Sequence, residues 1–286
     1  MVIKRLLELL CITLIMLIST TAFADINQNK SDEDVVFSIL PFLSPVALMK
    51  RFTPLRQYLE NTTGKTIAIE SAPNFPEYLR RTVNHDYDVV YTAPHFVPFT
   101  LKDGHYQLLA ASNNLAAHII VGNSGNIKNI EQLAGKRIAH GPKEAFLVII
   151  GKYLLKEKGL EGKNAPIFMP YKSHNAALRA VSGGDADAAI VGSFHMKLVA
   201  ENNLKPIAAT PQYPGIAILA SKELPESFRN TLAKSFISIK ESEEGRETLK
   251  KIRFPGFKAT TTADYESLKP IAREALDPKT FELIQQ

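Results

Sequence analysis

Histidine is the side chain of this sequence with the widest choice of chemistry, because imidazole can bind a metal ion or transfer a proton. The chain has seven histidines. His85, His95 and His105 recur every ten residues, so they match neither one helix face nor the His-x-x-x-His pair of a metal-binding helix. The others could converge at strand and helix ends: His118, His140, His174 and His195. A metal-binding protein or a metal-dependent hydrolase is therefore an alternative that the sequence leaves open.

Nucleophilic catalysis has little support in the sequence. The chain contains no Gly-x-Ser-x-Gly elbow, no P-loop and no Gly-x-Gly-x-x-Gly turn. Its single cysteine, Cys11, lies inside the apolar run near the N-terminus. Ser193 follows a glycine at the end of a predicted strand, where a serine is also an ordinary helix N-cap. The sequence therefore favours a protein that is not an enzyme, and we expect no cofactor.

The stretch RIAHGPKEAFLVIIGKYLL, residues 137–155, has the pattern of a strand, a turn and a long helix over residues 143–158. The start of a helix at a strand end commonly binds an anion, because its free N–H groups and the helix dipole favour negative charge. Here Pro142 removes one N–H donor, Lys143 adds a cation and Glu144 adds a carboxylate. We predict that Lys143 and Glu144 contact a ligand; a plain helix start is the alternative.

Alternating strands and helices must position these side chains. Residues 34–100 follow the order strand, helix, strand, helix, strand, which predicts a doubly wound parallel sheet. Residues 118–209 repeat this plan, and the tail from Leu224 to Gln286 is mostly helical. In the simplest arrangement, the chain completes the second unit and then returns to the first, so that the helical tail packs on the first unit.

This order predicts an α/β fold of two doubly wound lobes joined by a two-segment hinge. We expect residues 25–114 and 213–286 to form lobe 1 and residues 115–212 to form lobe 2. Strand ends would then face a cleft that closes on a ligand by hinge bending.

The N-terminal residues have the three parts of a secretory signal peptide. MVIKR is a positive region, LLELLCITLIMLIST is an apolar run, and Ala22–Ala24 is a small-x-small cleavage site. We predict cleavage after residue 24 and export; an uncleaved membrane anchor is the alternative. With 22% charged residues, a net charge of +5 and no basic cluster among aromatic residues, nucleic acid is not an expected partner.

Several stretches resemble, in order, the phosphate/phosphite/phosphonate-binding family of periplasmic receptors for ABC importers. They are PFLSPVALMKRFTPLRQYLENTTGKTI (41–67), YDVVYTAPHF (87–96), NIEQLAGKRIAHG (129–141) and SHNAALRAVSGGDADAAIV (173–191). The resemblance implies the type 2 periplasmic binding protein fold and a monomer. It also implies that a small anionic, phosphate- or phosphonate-like solute is captured between the lobes and delivered to a membrane ABC permease. A partner of a sensor kinase or chemoreceptor is the alternative.

The resemblance also implies ligand contacts, since Tyr91, His174 and Asp187 match family positions, whereas His118 and Asn175 stand where the family commonly has other residues. Each has a structural alternative, such as packing, helix capping or a solvated turn. Thr92 offers a hydroxyl at a strand end, and Tyr213 lies at the second chain crossing, where it closes over a ligand or packs in the hinge. The full predicted site is Tyr91, Thr92, His118, Lys143, Glu144, His174, Asn175, Asp187 and Tyr213, without a metal.

Overall fold

The computed structural model describes residues 34–276 and residue 282. The predicted signal peptide, with Cys11, lies outside the described residues. None of the described helices combines the length and the apolar character that crossing a membrane requires.

Six strands form the first sheet, in the order β11-β4-β10-β3-β1-β2. Strand β1 is parallel to β2 and β3, and β10 runs antiparallel to β3 and β4. We call this sheet, with the helices that cover it, the first lobe. Its strands are β1 (Val35–Ile39), β2 (Ile67–Glu70), β3 (Val89–Thr92), β4 (Tyr106–Ser112), β10 (Ala217–Ser221) and β11 (Phe257–Lys258).

Five strands form the second sheet, in the order β7-β6-β8-β5-β9, and belong to the second lobe. Strand β6 is parallel to β7 and β8, while β5 is antiparallel to β8 and β9. The strands are β5 (Ala117–Gly122), β6 (Arg137–His140), β7 (Ile167–Pro170), β8 (Ala188–Gly192) and β9 (Leu204–Ala209). Strands separated by helices thus form two mixed sheets, and the predicted α/β class is confirmed.

Local sequence signals explain most helix boundaries. Asn74 accepts a hydrogen bond of 2.9 Å from the Glu77 backbone N–H, and Ser173 caps its helix in the same way through the N–H of Ala176. Gly64 ends the first helix in the left-handed conformation. The helices are α1 (Pro45–Thr63), α2 (Phe75–Val83), α3 (Val97–Thr100), α4 (Phe146–Glu157), α5 (His174–Ser182), α6 (Met196–Glu201), α7 (Glu226–Ile237), α8 (Glu243–Ile252) and α9 (Lys269–Ala275).

The C-terminal tail packs on the first lobe. The Tyr58 hydroxyl of α1 donates to the Ser235 carbonyl of α7 at 3.1 Å, and Arg51 Nε donates to the Ile252 carbonyl of α8 at 2.7 Å. Strand β11, which the helical pattern of the tail did not predict, pairs with β4 at the edge of the first sheet. The tail therefore completes the first lobe.

Two segments, residues 113–116 and 210–216, connect the lobes. Leu115 and Tyr213 exchange two backbone hydrogen bonds of 2.8 and 2.9 Å, so the segments run side by side. Gly215 fits against this pairing because it lacks a Cβ atom, which would lie 2.4 Å from the Asn113 carbonyl oxygen. The predicted two-segment hinge is confirmed, whereas the exact domain boundaries stay a prediction.

Candidate ligand-binding site

The hinge lies beside a cavity with a volume of about 740 Å³. We call it the hinge cavity. The hinge segments, the turn after β8 and the end of α8 surround it. It is lined by Ser112, Asn113, Asn114, Leu115, Ser193, Phe194, Ile216, Leu249, Lys250, Arg253, Phe254 and Pro255. In α/β sheets, ligands commonly bind at the carboxyl ends of parallel strands, and Ser193 follows such an end.

Positive charge and neutral hydrogen-bonding groups meet at the hinge cavity. Arg253 forms no ion pair with a carboxylate among the described residues, whereas Lys250 pairs with Glu247 at 2.5 Å. A third cation, Lys258, donates a hydrogen bond of 2.8 Å to Asn114 Oδ1. Within the part of the chain that the structure describes, no acidic side chain lines the cavity. Its charge therefore suits an anion.

His118, a predicted ligand residue, reaches the hinge cavity through Ser193. His118 Nε2 and Ser193 Oγ share a hydrogen bond of 3.0 Å. Partial burial lowers the pKa of His118, so its imidazole is mainly neutral at pH 7. If the neutral imidazole accepts the hydrogen bond from Ser193, the hydroxyl oxygen remains available as an acceptor at the cavity. If the imidazole donates the hydrogen bond instead, the Ser193 hydroxyl is available there as a donor.

Two phenylalanines give the hinge cavity an aromatic wall. Phe194 comes from the second lobe and is 67% exposed, with its ring against Gly192, where an added Cβ would lie 2.8 Å from the ring. Phe254 comes from the first lobe, and its ring lies 5.8 Å from the ring of Tyr91. Tyr91, another predicted ligand residue, therefore supports this wall from behind.

Tyr91 and Thr92 are buried. The ring of Tyr91 packs at 5.3 Å from that of Phe52 on α1, and burial raises the pKa of its phenol. Thr92, the next residue of the strand, has no exposed surface. Neither side chain lines the hinge cavity.

Lys143 and Glu144 line a second cavity, of about 340 Å³, which we call the Lys143 cavity. It lies between the start of α4, the start of α2 and the end of α9. The Lys143 ammonium lies 3.8 Å from the Glu144 carboxylate. This pairing offsets the charge of the lysine, so an anion gains less here than at the hinge cavity.

The long helix of the second lobe begins three residues later than predicted, at Phe146 instead of residue 143. Ala145 is extended, at φ −67° and ψ 130°, and its N–H donates to the Pro142 carbonyl at 3.0 Å. Residues 142–145 therefore form a turn. The buried Phe146 ring stacks on His95 of the first lobe, with centroids 5.6 Å apart and planes 3° apart.

Tyr213 packs in the hinge. Its ring meets the Phe146 ring edge-on at 6.1 Å, and only 8% of the residue is exposed. The start of α4 is thus held by aromatic contacts with the first lobe and the hinge.

His174 is partly buried in the second lobe. Its Nδ1 is 3.2 Å from the Ile190 carbonyl oxygen, and its ring covers Gly141, where an added Cβ would approach within 2.9 Å. The rings of His174 and His195 are 5.3 Å apart, and burial lowers the pKa of both, that of His195 to about 4. Asn175 is exposed. The described residues include no group of three or more histidine, cysteine or acidic side chains that could hold a metal ion.

Asp187 lies at the other end of its strand. It precedes β8, whereas Ser193 follows that strand. Its carboxylate accepts hydrogen bonds from the Arg137 backbone N–H at 2.8 Å and from the Arg137 guanidinium at 3.1 and 3.2 Å. These bonds lower the pKa of Asp187 and join β8 to β6. The prediction that Asp187 faces the pocket has no support in this arrangement, because its oxygens hold the sheet together.

We expect Asp187→Ala to lower the free energy of unfolding by about 1–3 kcal/mol, because it leaves a backbone donor and a guanidinium without their acceptor. Ligand affinity should change less than twofold. Urea unfolding and a binding titration of the same preparation measure the two effects. A tenfold loss of affinity at unchanged stability would instead place Asp187 in the ligand site.

The model of one protein family matches residues 37–265, well over half of the chain. This family comprises the periplasmic phosphonate-binding proteins of ABC transporters. The chain belongs to this family. Its members bind substrate for transport. The predicted resemblance and the predicted function of a periplasmic solute receptor are therefore confirmed at the level of the family.

Solved structures show the fold of this phosphonate-binding family protein. PhnD1 from Prochlorococcus marinus, in complex with methylphosphonate, is 17% identical, with a TM-score of 0.68 over 85% of this chain and 98% of that chain. XAC2383 from Xanthomonas citri, bound to chloride, is 11% identical, with a TM-score of 0.72 over the same shares. A binding-protein component of an ABC phosphonate transporter from Pseudomonas aeruginosa is 15% identical, with a TM-score of 0.63 over 88% and 93%. A comparison with curated proteins gives no match. The shared fold is that of type 2 periplasmic binding proteins.

Sequence reasoning missed most of the hinge cavity. It considered Ser193 as a nucleophile or a helix N-cap, but the serine begins a short 3-10 turn and its hydroxyl shares a hydrogen bond with His118. It also did not predict Phe194 and Arg253 as site residues. The sequence signal that was available is a phenylalanine close to a glycine or proline that interrupts a helix or strand, as in VGSFH and RFPGF.

Proposed function

We propose that this receptor captures a small phosphonate-like anion in the hinge cavity and presents it to an ABC permease. The observation that carries the proposal is the charge at this cavity: Arg253, which forms no ion pair with a carboxylate among the described residues, lines it. It adjoins both hinge segments and receives Ser193 from the second lobe and Phe254 from the first. A ligand there contacts both lobes and favours their closure.

Selectivity in this proposal rests on hydrogen bonds to the anion. The Arg253 guanidinium suits bidentate binding of phosphonate oxygens, and the amides of Asn113 and Asn114 add neutral donors. A ligand that leaves a buried donor unpaired forfeits about 1–3 kcal/mol. Phosphonates with three acceptor oxygens therefore bind in preference to neutral solutes.

The proposal extends to the mature protein in the cell. Residues 1–24 act as a cleavable signal peptide, and the receptor works in the periplasm as a monomer, without a cofactor, catalysis or nucleic acid. The family match supports the periplasmic site and the permease partner. Mass spectrometry of protein recovered from the periplasm tests cleavage, with Asp25 expected as the first residue.

We expect methylphosphonate, phosphite or phosphate to raise the melting temperature of the purified mature protein. A ligand that binds only the folded state at a hundred times its Kd stabilises that state by about 2.7 kcal/mol. Differential scanning fluorimetry over a ligand series measures the shift.

Two variants locate the binding site. Arg253→Ala should remove most of the shift, whereas Lys143→Ala, which changes the other cavity, should keep it. The reverse result would move the site to the Lys143 cavity, and the absence of any shift would contradict anion binding altogether.

A further inference from the structure

The hinge cavity is large for a ligand as small as methylphosphonate. Its volume of about 740 Å³ lies in the upper part of the range of about 300–1,000 Å³ that is usual for sites of drug-sized molecules. Filling it with a solute that carries one carbon leaves most of the apolar wall in contact with water. The size of the cavity therefore indicates a ligand with a substantial organic part.

Half of the lining residues are apolar, and they form the wall rather than the charged end of the cavity. They are Leu115, Phe194, Ile216, Leu249, Phe254 and Pro255. An anion alone gains nothing from such a wall, because apolar surface stabilises a complex when the ligand covers it with apolar surface of its own. The lining is thus divided between a charged part and an apolar part.

Phe194 is the most informative residue of this wall. It is one of the few large apolar side chains that are exposed among the described residues, at 67%. Its ring rests on Gly192 and lies 4.3 Å from the ring of His195, so one face is supported by the second lobe. Phe254 faces the cavity from the first lobe and is supported by Tyr91 and Phe257, at 5.8 and 4.8 Å.

From this arrangement we infer that the natural ligand is an organic anion with a planar aromatic body. Its phosphonate or similar group binds Arg253, and its ring stacks on Phe194 and packs toward Phe254. The inference rests on the proposed function, since it places the ligand in the same cavity. It adds the chemical class of the substituent, which the match to the family leaves undefined.

Isothermal titration of the mature protein with phenylphosphonate and methylphosphonate tests the inference. We expect phenylphosphonate to bind at least about tenfold more tightly, a difference of about 1.4 kcal/mol. Phe194→Ala should reduce this preference to less than threefold. Equal affinity for the two ligands, or a preference that Phe194→Ala leaves intact, would overturn the inference.

Phe42→Ala is the matched control. Phe42 is also an exposed phenylalanine, at 39%, but it packs on Phe52 and Arg51 and does not line the hinge cavity. This variant should keep the full preference, and its loss there would overturn the inference. Arg253→Ala tests the proposed function separately from the aromatic preference, because it should weaken the binding of both ligands at least tenfold. If neither ligand binds the wild-type protein, or if Arg253→Ala binds both as the wild type does, the proposed function fails as well.

Discussion

Phe146→Ala is expected to lower the free energy of unfolding by about 3–5 kcal/mol, the range for removing a buried phenylalanine ring. The residue is 6% exposed. Its ring stacks on His95 of the first lobe and meets Tyr213 of the hinge, so its loss leaves a cavity where the lobes are joined. Urea unfolding of the ligand-free protein measures the change.

Phe194→Ala is the matched control for this loss. It removes the same atoms from a side chain that is 67% exposed, so the free energy of unfolding should change by no more than about 0.5 kcal/mol. Equal effects of the two substitutions, or a loss below about 1 kcal/mol in Phe146→Ala, would show that the aromatic contact at the start of α4 contributes little. This comparison requires that the free energy of unfolding depends on urea concentration with the same slope in the wild type and both variants.

The fold was readable from the sequence because the signals that set it are local. Asn74 and Ser173 are ordinary N-cap residues and cap the helices that follow them, and Gly64 ends α1. The alternation of strands and helices then leaves few arrangements, and the return of the chain to the first sheet at β10 follows from the two crossings. The short β11 was missed because two residues carry no periodic pattern.

The site was less predictable because it depends on side chains that lie far apart in the sequence. Arg253 and Ser193 line the same cavity from positions 60 residues apart, and no local pattern relates them. Asp187 has an aspartate's usual pairing with arginine, but its partner, Arg137, lies 50 residues away. A sequence pattern assigns a residue to a helix or strand, but the packing of the helices and strands decides whether its side chain lies near the cavity.

The start of α4 is the clearest example of packing that a local sequence pattern does not predict. A free helix N-terminus at a strand end suits an anion, and the first lobe instead supplies a flat imidazole, that of His95, against the Phe146 ring. His95 is 1% exposed and its Nδ1 has no hydrogen-bond partner among the described residues. The contact is therefore one between uncharged rings, and protonation of His95 is incompatible with it.

This buried imidazole makes the protein acid-sensitive. Burial lowers the pKa of His95 from 6.5 to about 3. Between these two values the unfolded chain binds a proton that the folded protein does not, so the stability that is present above pH 6.5 is lost as the pH falls toward 3. His95 alone should contribute a slope of about 1.4 kcal/mol per pH unit, and the burial of His195 acts in the same direction.

His95→Gln should flatten this dependence, because glutamine does not titrate. We expect the free energy of unfolding of the wild type to fall by about 2 kcal/mol more than that of the variant between about pH 6.5 and pH 4.5. Urea unfolding at a series of pH values measures both slopes. Parallel curves for the wild type and His95→Gln would mean that His95 accepts a proton within the folded protein, and the stacked pair with Phe146 would then have to open on acidification.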